Sequence, residues 1–170
     1  MTILVTGAHG FIAQALLPSL RQDGHTIRRL VRSAAKSESN EYFWDPYHGT
    51  VDPDAFAGID AVIHLAGESI AEGRWTAEKK QRIHESRTIP TRFLAEQAAA
   101  YPSPPRIFIC ASAIGYYGDR GEENLTEESA AGTDFLANVC RDWEAAAVPA
   151  AAKGIRGVNL RFGLILSAGG

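Results

Sequence analysis

The chain alternates between two hydrophobic periods. Apolar runs of strand length recur at Ile3–Thr6, Thr26–Val31, Asp60–Ala66, Arg106–Ala111 and Ile155–Arg161. Tyr42-Phe43-Trp44 adds a further short strand, third in chain order, closed by the turn signals Asp45-Pro46 and His48-Gly49. Between the strands the period lengthens. Phe11–Gln22 carries Ile12, Leu16, Leu17 and Leu20 at helical spacing, with Gly24 as its stop. Thr76–Ala100 and Thr133–Lys153 are also predicted helices, and Pro90 either kinks the first or opens its second half. Ser33–Asn40 is a polar connection or a frayed helix, Pro102–Pro105 breaks the chain, and Ser112–Ser129 is an irregular loop. Strands that alternate with helices predict an α/β fold. Parallel strands need crossovers and helices supply them, so the sheet is parallel and doubly wound, in three αβα layers.

The 170 residues suit one domain, since domains run to roughly 100–200 residues. That domain, 1–170, ends on Ser167-Ala168-Gly169-Gly170 just after a strand, which reads as a chain cut short in a linker before substrate-binding segments. A hydrophobic share of 45% with 22% charged residues is enough to bury a core. Seventeen basic against twenty acidic residues leave a net charge of −3, so nucleic acid is not an expected partner. No apolar run approaches the roughly 18–20 residues of a membrane span, and Met1–Gly7 enters a strand without the features of a signal peptide. Cys110 and Cys140 lie in apolar surroundings without metal spacing. Buried thiols are the expectation and a disulfide the alternative, and a reducing cytoplasm follows. The five histidines show no ligand spacing, so no metal is expected, and His64 in an apolar strand reads as a satisfied core residue.

Gly7-x-x-Gly10-x-x-Ala13 lies between the first strand and the first helix. A helix N-terminus offers unpaired backbone N–H groups and partial positive charge, which suit a pyrophosphate. Gly7 permits the tight turn, Gly10 lets the backbone approach the phosphates, and Ala13 is small enough for helix–sheet packing. Strand, glycine turn, helix and second strand in this order point to a Rossmann-type nucleotide-binding domain, against the alternative of an ordinary strand–helix turn. An NAD site places Asp or Glu at the end of the second strand, to accept from the ribose hydroxyls. Here the strand ends Leu30-Val31-Arg32-Ser33. Arg32, with Ser33 beside it, suits a 2′-phosphate, because its planar fork matches phosphate oxygens. NADP(H) is therefore expected over NAD(H), the alternative being solvated arginines at a strand end.

These residues also resemble a family. Val5-Thr6-Gly7-Ala8-His9-Gly10-Phe11-Ile12 is similar to the opening of the extended short-chain dehydrogenases/reductases, the nucleotide-sugar epimerase group. Val62-Ile63-His64-Leu65-Ala66-Gly67 resembles their fourth-strand motif. Leu65–Ile70, Arg74-Trp75, Ile83-x-x-Ser86-Arg87, Ser112–Gly118, Asp134-Phe135-Leu136 and Trp143-Glu144 resemble an atypical epimerase-like branch, sometimes labelled cell-division-inhibitor-like. The resemblance covers essentially the whole chain, and members of the branch are usually longer. It implies cofactor contacts from Gly7, Phe11 and Ile12 at the pyrophosphate, from Arg32 at the 2′-phosphate, and from Leu65, Ala66 and Gly67 as the fourth strand ends. It also implies that Arg87 reaches back toward the cofactor, against the alternative of a solvated face shared with Glu85 and Arg92. Leu160–Leu164 resembles the strand whose end passes near the nicotinamide.

The wider superfamily's Tyr-x-x-x-Lys pair, in which the ammonium helps the phenol exchange a proton, is missing. None of the five tyrosines is followed four positions on by lysine, and aligning the last helix on Glu144 puts Leu136 and Cys140 at those positions. Ser112, Tyr116 and Tyr117 remain at the end of the fifth strand, the crevice where doubly wound sheets bind ligands. Ser112 is the candidate for orienting a carbonyl and Tyr116 for supplying a proton, with packing in a glycine-flanked turn as the alternative. The expected function is NADP(H)-dependent oxidoreduction or epimerase-like isomerisation of a small polar, sugar-nucleotide-like substrate. The competing class is a non-enzymatic NADP(H)-binding sensor or partner protein. Thr76–Ala100 is long enough to pair with a second copy in a homodimer.

Overall fold

The computed structural model describes residues 1–33 and 39–166. Most of the expected connection Ser33–Asn40, and the last four residues, lie outside them. The chain forms β1 (Thr2–Thr6), α1 (Phe11–Gln22), β2 (Thr26–Val31), β3 (Glu41–Asp45), β4 (Thr50–Val51), β5 (Ala61–His64), α2 (Ala77–Ala100), β6 (Ile107–Ala113), α3 (Phe135–Ala146), α4 (Val148–Ala151) and β7 (Arg156–Phe162). Short 3-10 turns sit at Pro53–Phe56 and Ile114–Tyr117. One sheet runs in the order β4-β3-β2-β1-β5-β6-β7, and every neighbouring pair is parallel except β3 with β4. The doubly wound expectation holds. From β1 the chain steps outward through β2 and β3, then returns to lay β5 on the other side of β1. That reversal opens a crevice between the carboxyl ends of β1 and β5, where Thr6 pairs with His64.

Side-chain alternation along the central strands feeds two cores. Ile3, Val5, Ala61 and Ile63 pack with Ala13 and Leu17 of α1, whereas Leu4, Val62 and Phe108 pack with Leu94 and Ala98 of α2 and Trp143 of α3. Both sheet faces are therefore covered, which is why these strands read as continuous apolar runs. His64 belongs to this interior and is fully buried. Its Nδ1 lies 2.6 Å from Thr6 Oγ1, but its Nε2 has no partner among the described residues. The expectation of a satisfied core histidine holds for one ring nitrogen only. Cys110 and Cys140 are both buried free thiols, and burial pushes Cys110 up to about 12.

Three boundaries differ from the sequence expectation. Asp45-Pro46 and His48-Gly49 do more than close β3: they reverse the chain into β4, which pairs antiparallel with it. Asp45 secures the reversal by accepting from the backbone N–H of Tyr47 and of His48 through Oδ1, and Gly49 takes φ +66. Ser112 and Ala113 continue β6 and are not loop, since both pair with β7. Thr133–Lys153 is two helices, because Pro149 has no N–H to donate and its ring crowds the preceding turn, so α3 closes at Ala146. Pro90, by contrast, lies buried inside a helix that continues unbroken across it. No described helix is long and apolar enough to cross a membrane, and the described residues hold no group of three or more His, Cys, Asp or Glu able to bind a metal.

Candidate nucleotide cleft

The crevice is a real cleft, and the glycine loop divides it. One part, about 600 Å³, runs from Gly7–Gly10 toward Arg32 and Ser33 and is walled by Trp44 of β3 and by Pro46 and Tyr47 of the β3–β4 turn. The other, about 440 Å³, runs from Phe11 and Ile12 past Gly67 and Arg87 to Ser112 and Gly163. Leu65 and Gly67 touch both parts, and Ala66 lines the first. Every cofactor-contact candidate read from the sequence therefore lines this cleft.

The loop's shape follows from close backbone approach. Gly7 sits at φ +67, and a Cβ there would lie 2.7 Å from the Leu65 carbonyl carbon and oxygen. Only glycine lets the turn after β1 meet the end of β5. Gly10 closes the turn by donating to the Gly7 carbonyl at 2.8 Å, and it caps α1 without any side chain. The first N–H groups of α1 thus face the cleft without a side-chain cap.

At the end of β2 the three arginines separate. Arg28 donates to the carbonyls of Asp54, Ala55 and Ala57, and Arg29 pairs with Glu41 at 3.1 Å. Both serve the fold. Arg32 is exposed and lines the cleft.

Arg87 is not on a solvated helix face. Its guanidinium donates to the carbonyls of Ile83 and Glu68, both at 3.0 Å, and lies 5.1 Å over the Trp143 ring. A Cβ on Gly67 would come within 3.6 Å of its central carbon. Burial pulls the Arg87 pKa down. The adjoining loop is pinned to α2. Glu68 accepts from the buried Lys79 at 2.7 Å and from Arg82 at 3.4 Å, and these bonds pull its carboxyl below the usual range.

The expected chemical residues divide. Ser112 lines the second part of the cleft. Tyr116 is not among the lining residues; its ring lies beneath the Arg161 guanidinium, 3.5 Å from it, and edge-on to Tyr117. Leu136 and Cys140 occupy the α3 face turned to this strand end, with a Cβ on Gly115 falling 3.5 Å from Leu136 and 3.8 Å from Cys140. Sequence reading missed Trp44, Pro46, Tyr47, Ser86 and Pro90 in the first part of the cleft, and the Glu144–Arg161 pair beside the second. The Asp45-Pro46 turn was a usable signal for the first three. Glu144 and Arg161 meet only because α3 packs on β6 and β7 pairs with β6.

Comparison with known proteins agrees with this geometry. A model of the NAD dependent epimerase/dehydratase family matches residues 3–169. "Epimerase family protein MT2273" of Mycobacterium tuberculosis is 41% identical over 168 residues, which cover 99% of this chain and 55% of that protein. The crystal structure of a nucleoside-diphosphate sugar epimerase from Corynebacterium glutamicum is 42% identical at a TM-score of 0.80, over 95% of this chain and 33% of that one. The human epimerase family protein SDR39U1, solved with NADPH, is 29% identical at a TM-score of 0.86, over 100% of this chain and 56% of that one. The chain thus spans about half the length of the curated relatives it matches. With this cleft, this strand order and these relatives, the chain belongs to the NAD-dependent epimerase/dehydratase family.

Proposed function

We propose that the cleft binds NADPH, with the 2′-phosphate at Arg32 and Ser33, the pyrophosphate between Gly7–Phe11 and Arg87, and the nicotinamide toward Ser112 and Gly163. Arg32 carries this reading. It stands where an NAD site places a carboxylate, and it lines the cleft while its neighbours Arg28 and Arg29 are engaged elsewhere. The human relative solved with NADPH supports the same choice. The free thiols accord with a reducing, cytoplasmic setting. NADPH will bind more tightly than NADH by about 1–3 kcal/mol, the range of a charge-assisted phosphate contact. Fluorescence titration of both cofactors measures this, and Arg32→Ala should erase the preference. Equal affinities in the unaltered chain would refute the assignment.

The reaction assigned to the site is hydride transfer to or from a small polar substrate, within an epimerase-like or reductase cycle. Ser112 orients the reacting group. Tyr116 supplies the proton, which requires its side chain to leave the Arg161 stack. On any substrate that turns over, Tyr116→Phe should lower the rate about a hundredfold while NADPH affinity is held. An unchanged rate would assign Tyr116 to stacking alone. The second reading, NADPH binding without turnover, is favoured by Leu136 and Cys140 on the α3 face where a Tyr/Lys pair would stand. Near-UV absorbance of NADPH mixed with carbonyls and enones, together with product analysis of nucleotide sugars incubated with NADP⁺, separates the two: cofactor oxidation or an isomerised sugar supports the enzyme, and the absence of both supports the sensor.

A further inference from the structure

The first part of the cleft ends on an aromatic ring that the fold leaves uncovered. Tyr47 stands in the β3–β4 turn, is 48% exposed, and lines this part beside Pro46 and Trp44. Trp44 is only 3% exposed and lies edge-on to His64, so its ring belongs to the core. Tyr47 has no such neighbour. Among the described residues its ring meets no second ring or cation, and its hydroxyl makes no hydrogen bond. The turn that carries it is fixed, however. Asp45 Oδ1 accepts from the backbone N–H of Tyr47 at 3.1 Å and of His48 at 3.3 Å, and Asp45 pairs with Thr50 across the hairpin. A backbone held in this way leaves little to order when a ligand arrives.

Position decides what the ring meets. With the 2′-phosphate at Arg32 and Ser33 and the pyrophosphate at the glycine loop, the base is the part of the nucleotide that extends past the end of β2. It then falls on the walls supplied by β3 and its turn. Partial burial pushes the Tyr47 phenol up and the Arg32 charge opposes that rise, so both side chains act at one end of the cleft. A purine offers a flat π-face, which an open tyrosine ring matches without reading a hydrogen-bonding edge. We infer that Tyr47 stacks on the adenine base of the cofactor, and that the β3–β4 hairpin holds the ring in place to do so. This rests on the cleft assignment above and adds to it the side chain that fixes the adenosine end.

Calorimetric titration of the chain with NADPH, NADH and adenosine 2′,5′-bisphosphate tests this, the last probe having no nicotinamide half. Tyr47→Ala should weaken all three by about five- to fiftyfold, the range of base–aromatic stacking lost to alanine. The ratio of NADPH to NADH affinity should stay as it was, because the two share the base. Tyr47→Phe keeps the ring and should bind within about twofold of the original. Melting temperatures, expected to be unchanged for an open ring, separate a lost contact from a lost fold. Affinities unmoved by Tyr47→Ala, a Tyr47→Phe chain as weak as Tyr47→Ala, or a loss confined to NADPH each overturn the inference and leave the cleft assignment standing. An unaltered chain that binds none of the three probes defeats the cleft assignment itself, and this inference with it.

Discussion

Lowering the pH from 8 to 5 should cost the folded chain about 2 kcal/mol through His64 alone. Burial of the ring, with one nitrogen unpartnered, pulls its pKa from 6.5 down to about 3. The sign follows from proton counting. Below pH 6.5 the unfolded chain takes up a proton at His64 that the folded chain refuses, so stability is complete above that pH and falls as pH drops. The loss grows to about 4 kcal/mol at pH 3 and levels off below it, because each unit of pKa displacement is worth about 1.4 kcal/mol. Carboxylates such as Asp60 and Glu68, held low by their own partners, enter only in the more acidic part of this range. Urea denaturation at pH 8, 6 and 5 reads the effect. His64→Leu should flatten the dependence in this window, whatever constant offset follows from leaving the Thr6 hydroxyl unpaired. Parallel pH profiles for the two proteins would show that His64 is not the group responsible.

Replacing Gly7 with alanine should destabilise the chain by about 2–5 kcal/mol. A left-handed backbone costs a residue with a Cβ roughly 1–2 kcal/mol, and forcing atoms into a packed contact typically adds 1–3 kcal/mol. Both penalties fall on this residue: φ is +67, and the new atom would stand 2.7–2.8 Å from the backbone of Leu65 and Ala66, which cannot move without parting β1 from β5. Gly10 is the control. It has φ −75, a conformation open to any residue, and an added Cβ would meet only the Gly7 carbonyl oxygen, at 3.1 Å. Gly10→Val should therefore remove NADPH binding with little change in melting temperature, whereas Gly7→Ala lowers both. Thermal melts beside cofactor titrations make the comparison. A Gly7→Ala chain as stable as the original would mean that the meeting of loop and strand is looser than its geometry indicates.

Much of the fold was legible along the chain. α1 and β2 begin and end where the apolar period and the glycine stops put them, because such signals act within a few residues of their source. The glycine loop was legible for the same reason: its function depends on backbone amides and on the absence of side chains, both written locally. Errors came where a local signal had two structural uses. Asp45-Pro46 and His48-Gly49 mark a turn in either case, and only strand pairing decides whether the chain leaves or folds back into β4. Pro149 splits a helix and Pro90 does not, although both interrupt the hydrogen-bond ladder. Pro90 is buried against the rest of the fold within a long helix, whereas Pro149 lies at the start of a helix of only four residues.

The sequence by itself determined the α/β class, the parallel sheet and the glycine turn that opens α1, and it placed Arg32 at the end of β2. Each of these follows from residue type and spacing over short stretches. What only the tertiary structure decided is which charges are free and which hydrogens are spent. Three arginines in five residues look alike in sequence, yet Arg28 and Arg29 are engaged by carbonyls and a carboxylate brought from elsewhere in the chain, and Arg32 lines the cleft. Ser112 reads as a candidate for orienting a carbonyl, whereas in the fold its hydroxyl donates to Glu144, 32 positions on in sequence. The physical reason is the same in both cases. A hydrogen-bonding group is defined by the partner that satisfies it, and in a doubly wound sheet those partners arrive through crossovers that local pattern does not encode.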